Sequence, residues 1–319
     1  MDTLLSAGEI AHLHLLLNHF PTIGSICGLG LLLMAYLRQE DGLKKVSLEV
    51  FFLIGLATLP LYLTGHGADE ALKNAAGVDH NAIAVHAAAA MQSFLLIEAT
   101  AFIAWVGLWQ SRRVGTGRVP ALYFNAVLVM SVISFAVVSR AANLGGDIRH
   151  PEIIAQGTPA PAPPTGLTTG LVQSFVLDHP WVWPTSETMH FLGMSLMFGV
   201  LFLCYLKLMG WLKNVPFEAV HRLLPFGQLG FGLNLVSGMF FFIAAPQQYV
   251  LNISFHWKVI FLVLTGLAYH VLAVYDGLWE RAASGDTTGL QKFVGVFSLV
   301  AYLGVMYFGR MLPFIGNAF

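Results

Sequence analysis

Twelve histidines, in a chain with few charged side chains, are the residues of this sequence best suited to chemistry. Neutral imidazole is the commonest metal ligand in proteins, and it also serves as an axial ligand of haem iron. An ionisable side chain inside a membrane is costly and by default marks a functional site. A haem held between two helices needs one histidine from each at the same depth, with small residues beside them. The histidines therefore indicate metal or haem binding.

The second half of the chain has the clearest histidine spacing. His256 and His270 are 14 residues apart, so on a helix they share one face and stand ~21 Å apart along the axis. That spacing is typical of two haems stacked through a bilayer, as in the cytochrome b of quinol–cytochrome c oxidoreductases. We expect an outer pair, His190–His256, and an inner pair, His221–His270. For His256 and His221 a simple position among lipid headgroups is the alternative.

Most histidines of the first half are predicted on the outer side of the membrane. His19 and His86 lie in apolar segments at similar depth, so His19–His86 is the expected pair for an outer haem. His66 and His150 are candidates for a second haem or a metal at the outer surface. Three further histidines are predicted to be interfacial: His12, His14 and His80.

A few charged residues fall in or near the apolar segments. Arg140 and Lys258 lie near outer helix ends, where a cation could pair with haem propionates. Arg310 lies in a similar place, but for it we favour extension to the headgroups. Glu98 lies deep in an apolar segment, where a carboxylate must be protonated or paired. It is a candidate for proton uptake beside a quinone, and a packing role is the alternative.

The elements that position these residues follow from composition. Hydrophobic residues make up 56% of the chain, charged residues 10%, and the mean hydropathy is +0.71. A soluble globular chain carries roughly 25% charged residues, so most of this surface is expected to contact lipid. The net charge of −1 gives no basic field for nucleic acid. Two isolated cysteines, with no Cys-x-x-Cys-His sequence, exclude a disulfide framework and covalent haem attachment.

Eight apolar runs are close to the ~20 residues that a helix needs to cross the hydrocarbon core. Alternate loops between them are rich in Lys and Arg, which by the positive-inside rule places both termini outside the cytoplasm. The sequence therefore predicts an all-α integral protein of the bacterial inner membrane, with both termini periplasmic. The eight predicted spans are about 13–36, 46–64, 81–109, 121–143, 185–208, 220–244, 254–275 and 291–312.

A long Pro-rich connection divides the chain into two predicted four-helix bundles. We expect the first bundle at 1–155, a periplasmic linker at 156–184 and the second bundle at 185–319. The halves share short patterns, which indicate either a parallel internal repeat or chance. These patterns are His19-Phe20 with His190-Phe191, and Thr64-Gly65 with Ser237-Gly238.

Each half also resembles an uncharacterised bacterial family of four-helix membrane proteins. Residues 10–155 carry the pattern of one family, and the second half is similar to another. Both families are suspected of binding b-type haem, and they often accompany periplasmic cytochromes c. The resemblance thus implies a fusion of two cytochrome-like bundles, and it leaves the reaction open. The matching residues are His19-Phe20-Pro21, His86, Leu144-Gly145-Gly146 and His150 in the first half, and His190-Phe191-Leu192-Gly193, Arg222-Leu223-Leu224-Pro225, Phe255 and Lys258 in the second.

The leading hypothesis is a multi-haem b-type cytochrome, with two or more haems, that transfers electrons between a membrane quinone and a periplasmic carrier such as cytochrome c. It would act as a subunit of a respiratory or photosynthetic complex. The alternative is a histidine-rich metal or proton transporter, which predicts histidines and carboxylates along one continuous path. An intramembrane zinc hydrolase is disfavoured, because the sequence has no His-Glu-x-x-His.

Overall fold

The computed structural model of the protein describes residues 5–73, 79–113, 118–149, 166–274 and 287–315. Among these residues the regular structure is helical, and no strand occurs. Within the described ranges, eight helical segments are long and apolar enough to cross a membrane. The predicted all-α membrane architecture is therefore confirmed. The kind of membrane and the side of the termini stay predictions.

The chain divides into two compact units, with the boundary between Val172 and Gln173. We call Leu5–Val172 the N-terminal unit and Gln173–Phe319 the C-terminal unit, and each contains four of the eight candidate spans. Part of the predicted linker, residues 156–165, lies outside the described residues. The remainder contains a helix, α6 (Thr169–Asp178), which includes the boundary.

The first span of the N-terminal unit consists of two helices. Ser6 and Glu9 form a reciprocal capping box at its start, which satisfies free backbone N–H groups. Pro21 has no N–H to donate to the carbonyl of Leu17, and the helix is interrupted between them, at Asn18. The helical segment Ala7–Arg38 extends beyond the span predicted at 13–36 at both ends, and it contains a break that the sequence did not predict. The helices of the unit are α1 (Ala7–Leu17), α2 (His19–Arg38), α3 (Asp41–Leu72), α4 (His80–Arg113) and α5 (Ala121–Arg149).

Small residues line the contacts between the spans of the N-terminal unit. Gly55 of α3 packs directly against Ala101 of α4. Between α4 and α5, the hydroxyl oxygens of Thr100 and Ser134 are 3.1 Å apart and hydrogen-bonded. Because lipid tails are as apolar as leucine, close packing and hydrogen bonds of this kind hold membrane helices together.

The C-terminal unit uses the same kind of packing. A Cβ on Gly193 would come within 2.8 Å of the carbonyl oxygen of Gly230, so the two backbones touch. Asn252 donates from Nδ2 to the carbonyls of Leu312 (3.2 Å) and Ile315 (2.6 Å), which ties the start of the third span to the end of the fourth. The helices after α6 are α7 (Val182–Leu208), α8 (Phe217–His221), α9 (Leu224–Ala244), α10 (Pro246–Val250), α11 (Ile253–Val274) and α12 (Gly289–Met311).

Candidate functional site: two imidazole sites at the helix ends

His86 is held between α4 and α5. Its Nδ1 lies 3.0 Å from the backbone carbonyl oxygen of Ala141. Since a carbonyl oxygen only accepts, Nδ1 must carry the proton, and Nε2 keeps its lone pair. The ring lies beside Gly145, where a Cβ would come within 3.1 Å of His86 Cε1. Gly145 follows Ala141 by one helical turn, so its missing side chain opens the way to that carbonyl.

His14 is held between α1 and α3 in the same manner. Its Nδ1 lies 3.1 Å from the carbonyl oxygen of Leu61 and 3.3 Å from the hydroxyl oxygen of Thr64. That hydroxyl already donates to Leu61, so both oxygens accept from the imidazole. Gly65 follows Leu61 by one turn, and a Cβ there would lie 3.3 Å from His14 Cε1. Again Nε2 retains its lone pair.

The two imidazoles belong to one neighbourhood. His86 and His66 both lie close enough to His14 to interact with it electrostatically. No described residue hydrogen-bonds the Nε2 atom of His14 or His86. The N-terminal unit therefore offers two nitrogen lone pairs, from the first and third spans, each with its other ring nitrogen fixed by backbone.

The donor chemistry of His14 and His86 is that of histidines that ligate haem iron. A metal-ligating histidine ordinarily donates its second N–H to a carbonyl, which fixes its tautomer and orientation. Four consecutive alanines, residues 87–90, follow His86, and small side chains of this kind are what a flat ring needs beside its ligand. Among the described residues no group of three or more His, Cys, Asp or Glu side chains is placed to hold a bare metal ion.

In the C-terminal unit His190 has a matching environment. Its Nδ1 lies 2.9 Å from the hydroxyl oxygen of Ser237 on α9. Ser237 donates its own proton to the carbonyl of Leu233 (2.6 Å), so it accepts from His190, and Nε2 of His190 keeps its lone pair. The ring lies over Gly238, whose Cβ would be 3.6 Å from His190 Cε1, and edge-on to Phe241.

Lys258 is the charged neighbour of His190. It lies on α11, close enough for an electrostatic interaction with the imidazole. Its Cε, Cδ and Nζ atoms pack at 3.6–3.7 Å from the Cβ position of Gly309 on α12. The expected outer pair was His190–His256, but Nε2 of His256 lies 2.6 Å from the carbonyl oxygen of Val250. Because that carbonyl can only accept, Nε2 of His256 donates to it, and Nδ1, which is buried with no hydrogen-bond partner, keeps its lone pair. The His190–His256 pairing therefore stays a prediction.

The other predicted ligands are spread over the two units. His19 is exposed at the first residue of α2, so the first-span residue that lies near His86 is His14, which the sequence analysis assigned to the interface. His66 is half-buried with its ring edge-on to Tyr62. His270 is buried in α11 and His221 ends α8, and their pairing stays a prediction. His150 lies outside the described residues.

The charged candidates have clear surroundings. Arg140 is exposed on α5, and Arg310 is exposed on α12 with its guanidinium 5.3 Å from the ring of Phe314. Glu98 lies in the middle of α4 and accepts a hydrogen bond of 2.8 Å from the hydroxyl of Thr58 on α3. The carboxyl group thus has a polar partner between two spans, as both its proton-uptake and packing interpretations require.

His14 is the residue that sequence reasoning missed. The predicted first span began at residue 13, which put His14 at the edge of the membrane. The structure begins that span at Ala7, one and a half turns earlier, and so brings His14 opposite Thr64 and Gly65.

Comparisons with known protein families, with curated proteins and with solved structures found no match. The resemblance to two four-helix families therefore stays a prediction.

Proposed function

We propose that this protein is a multi-haem b-type membrane cytochrome and that one haem is bound between His14 and His86. The observation that carries the proposal is their common environment. Each imidazole donates from Nδ1 to a helix carbonyl beside a glycine, and each keeps the Nε2 lone pair that haem iron requires.

The residues of the chain would hold and insulate the cofactor. A bound haem supplies one-electron redox chemistry. His14 and His86 would hold the haem, and with histidine as both of its protein ligands it would supply outer-sphere electron transfer without oxygen chemistry. The carbonyls of Leu61 and Ala141 fix the two rings, which limits the geometric change between oxidation states.

The electron donor and acceptor belong to the same proposal. We infer that a membrane quinone and a periplasmic carrier such as cytochrome c exchange electrons through this haem, in the bacterial inner membrane and as part of a larger complex. Glu98 supports the quinone, because it is an ionisable group between α3 and α4 with a hydrogen-bond donor on the facing helix.

The test is a haem count and a reduced-minus-oxidised spectrum of the full chain purified in detergent. His14→Ala and His86→Ala should each remove one b-type haem per chain. Two exposed histidines on the same helices, His12 on α1 and His80 on α4, are matched controls, and their alanine variants should keep the wild-type spectrum.

A colourless wild-type protein purified from haem-replete cells would contradict the proposal. A His19→Ala variant decides between the two possible pairings. If it loses a haem that His14→Ala retains, the pairing predicted from the sequence is correct and the one drawn from the structure is wrong.

A further inference from the structure

The two units repeat one local arrangement on their first and second spans. In the N-terminal unit, the imidazole of His14 packs on the hydroxyl–glycine pair Thr64-Gly65. In the C-terminal unit, the imidazole of His190 packs on the pair Ser237-Gly238. In both cases Nδ1 contacts the hydroxyl oxygen, and Nε2 is left with its lone pair. The hydroxyl itself donates to a carbonyl of the preceding helical turn, that of Leu61 for Thr64 and that of Leu233 for Ser237.

The third and fourth spans continue the repeat, with one change of residue type. In the N-terminal unit His86, near the start of α4, packs beside Gly145 near the end of α5. In the C-terminal unit Lys258, near the start of α11, packs beside Gly309 near the end of α12. Lys258 thus takes the place of His86, and each residue lies close enough to the first-span histidine of its unit to interact with it electrostatically.

The surroundings of Lys258 do not provide a partner for an ammonium group. Among the described residues none forms a hydrogen bond or an ion pair with its Nζ. The single acidic residue of α7, Glu187, is exposed and accepts from the indole N–H of Trp183. An unpaired ammonium inside a span is costly, whereas a neutral amine has one lone pair and is a competent ligand for a metal.

We propose that the C-terminal unit binds a second haem, with His190 and Lys258 as its two axial ligands. This inference rests on the proposed haem at His14–His86, because it carries that site over to the second unit by the repeated geometry. The second site differs from the first in its ligands, because a primary amine replaces one imidazole. The two haems of the chain would therefore have different spectra. Lys258 then acts as an iron ligand, in place of the propionate contact expected from the sequence.

Three variants of the full-length protein test the ligand set. His190→Ala should lower the count from two haems per chain to one. Lys258→Leu should keep both haems but convert one from low-spin to high-spin, with new binding of carbon monoxide to the reduced protein. Lys258→His should restore a low-spin spectrum in which both haems resemble the His14–His86 haem.

Two control variants separate the alternatives. Lys292→Leu removes an exposed lysine of α12 and should leave the spectrum unchanged. His256→Ala tests the pairing expected from the sequence, and it too should leave both haems low-spin. A low-spin spectrum in Lys258→Leu, or a high-spin haem in His256→Ala, would overturn the assignment of Lys258.

Failure of this inference can be told from failure of the proposed function. One haem per wild-type chain, lost in His14→Ala and kept in His190→Ala, would refute the second site alone. No haem at all would refute both. The His14–His86 haem also serves as an internal check on folding, because a correctly folded His190→Ala variant must retain it.

Discussion

A single added methyl group at Gly145 should weaken haem binding without weakening the fold. Its carbon would come 3.1 Å from Cε1 and 3.4 Å from Nδ1 of His86, so the ring must move by a few tenths of an ångström. In the haem-free protein Nε2 of His86 is not held, so the ring can shift by this small distance while Nδ1 keeps its hydrogen bond to the Ala141 carbonyl. With haem bound, Nε2 would also be held while Nδ1 stays hydrogen-bonded to the Ala141 carbonyl, so the ring could not shift without weakening one of the two interactions.

The expected loss follows from the role of that hydrogen bond. Disturbing the second-shell partner of a metal ligand typically costs 10–100-fold in affinity, which corresponds to about 1.4–2.8 kcal/mol. Alanine also favours a helix by up to ~1 kcal/mol over glycine, so thermal stability of the haem-free Gly145→Ala protein should be equal or higher. Haem titration into the haem-free protein and thermal unfolding in detergent measure the two effects separately.

Gly146 provides the matched control, because a Cβ there meets nothing within 4 Å. Gly146→Ala should gain the same helix propensity and bind haem like the wild type. If both variants bind haem with wild-type affinity, then His86 is not an iron ligand held in this geometry. If both lose affinity equally, the effect comes from stiffening α5 rather than from the contact with His86.

Three further predictions concern packing and proton chemistry. Gly193→Ala should destabilise the C-terminal unit on thermal unfolding, because its Cβ would press on backbone, while Gly199→Ala, with open space, should not. Asn252→Ala should cost ~1–3 kcal/mol of unfolding free energy by leaving two carbonyls without their donor, and an unchanged melting temperature relative to the exposed control Gln247→Ala would contradict this. Glu98→Gln should slow haem reduction by added quinol and leave the haem spectrum intact; an unchanged rate would remove Glu98 from quinone chemistry.

The membrane architecture could be predicted from the sequence because it depends on composition averaged over ~20 residues. Each span needs only a long enough apolar run, and single residues matter little. Helix ends were harder, since a helix can continue past the hydrocarbon core into water. The third and fourth helices, Asp41–Leu72 and His80–Arg113, have 32 and 34 residues and extend beyond the predicted 46–64 and 81–109.

The sequence alone could not show which histidines pair, although it contains one repeated pattern that bears on the question. Thr64-Gly65 and Ser237-Gly238 were recognised as a possible repeat, and His190 precedes Ser237 by 47 residues (237 − 190). The corresponding separations from Thr64 are 50 for His14 (64 − 14) and 45 for His19 (64 − 19), which lie on either side of that value. The contact between Nδ1 of His14 and the hydroxyl oxygen of Thr64, which requires the folded structure, shows which of them faces Thr64.

The glycines explain why imidazoles can be fixed inside a span at all. The carbonyls of Leu61 and Ala141 lie within helices, where each already accepts the backbone bond from the residue four positions later, here Gly65 and Gly145. A Cβ at that position would lie 3.1–3.3 Å from the imidazole Cε1 atom, so glycine lets the ring approach the remaining lone pair of the carbonyl without being displaced. A His86 ring without that contact would bury a polar N–H in a medium with no water. The fixed ring and the oriented Nε2 lone pair therefore have a single structural cause. Substitution of the glycine tests that cause while leaving the imidazole in place, which substitution of the histidine cannot do.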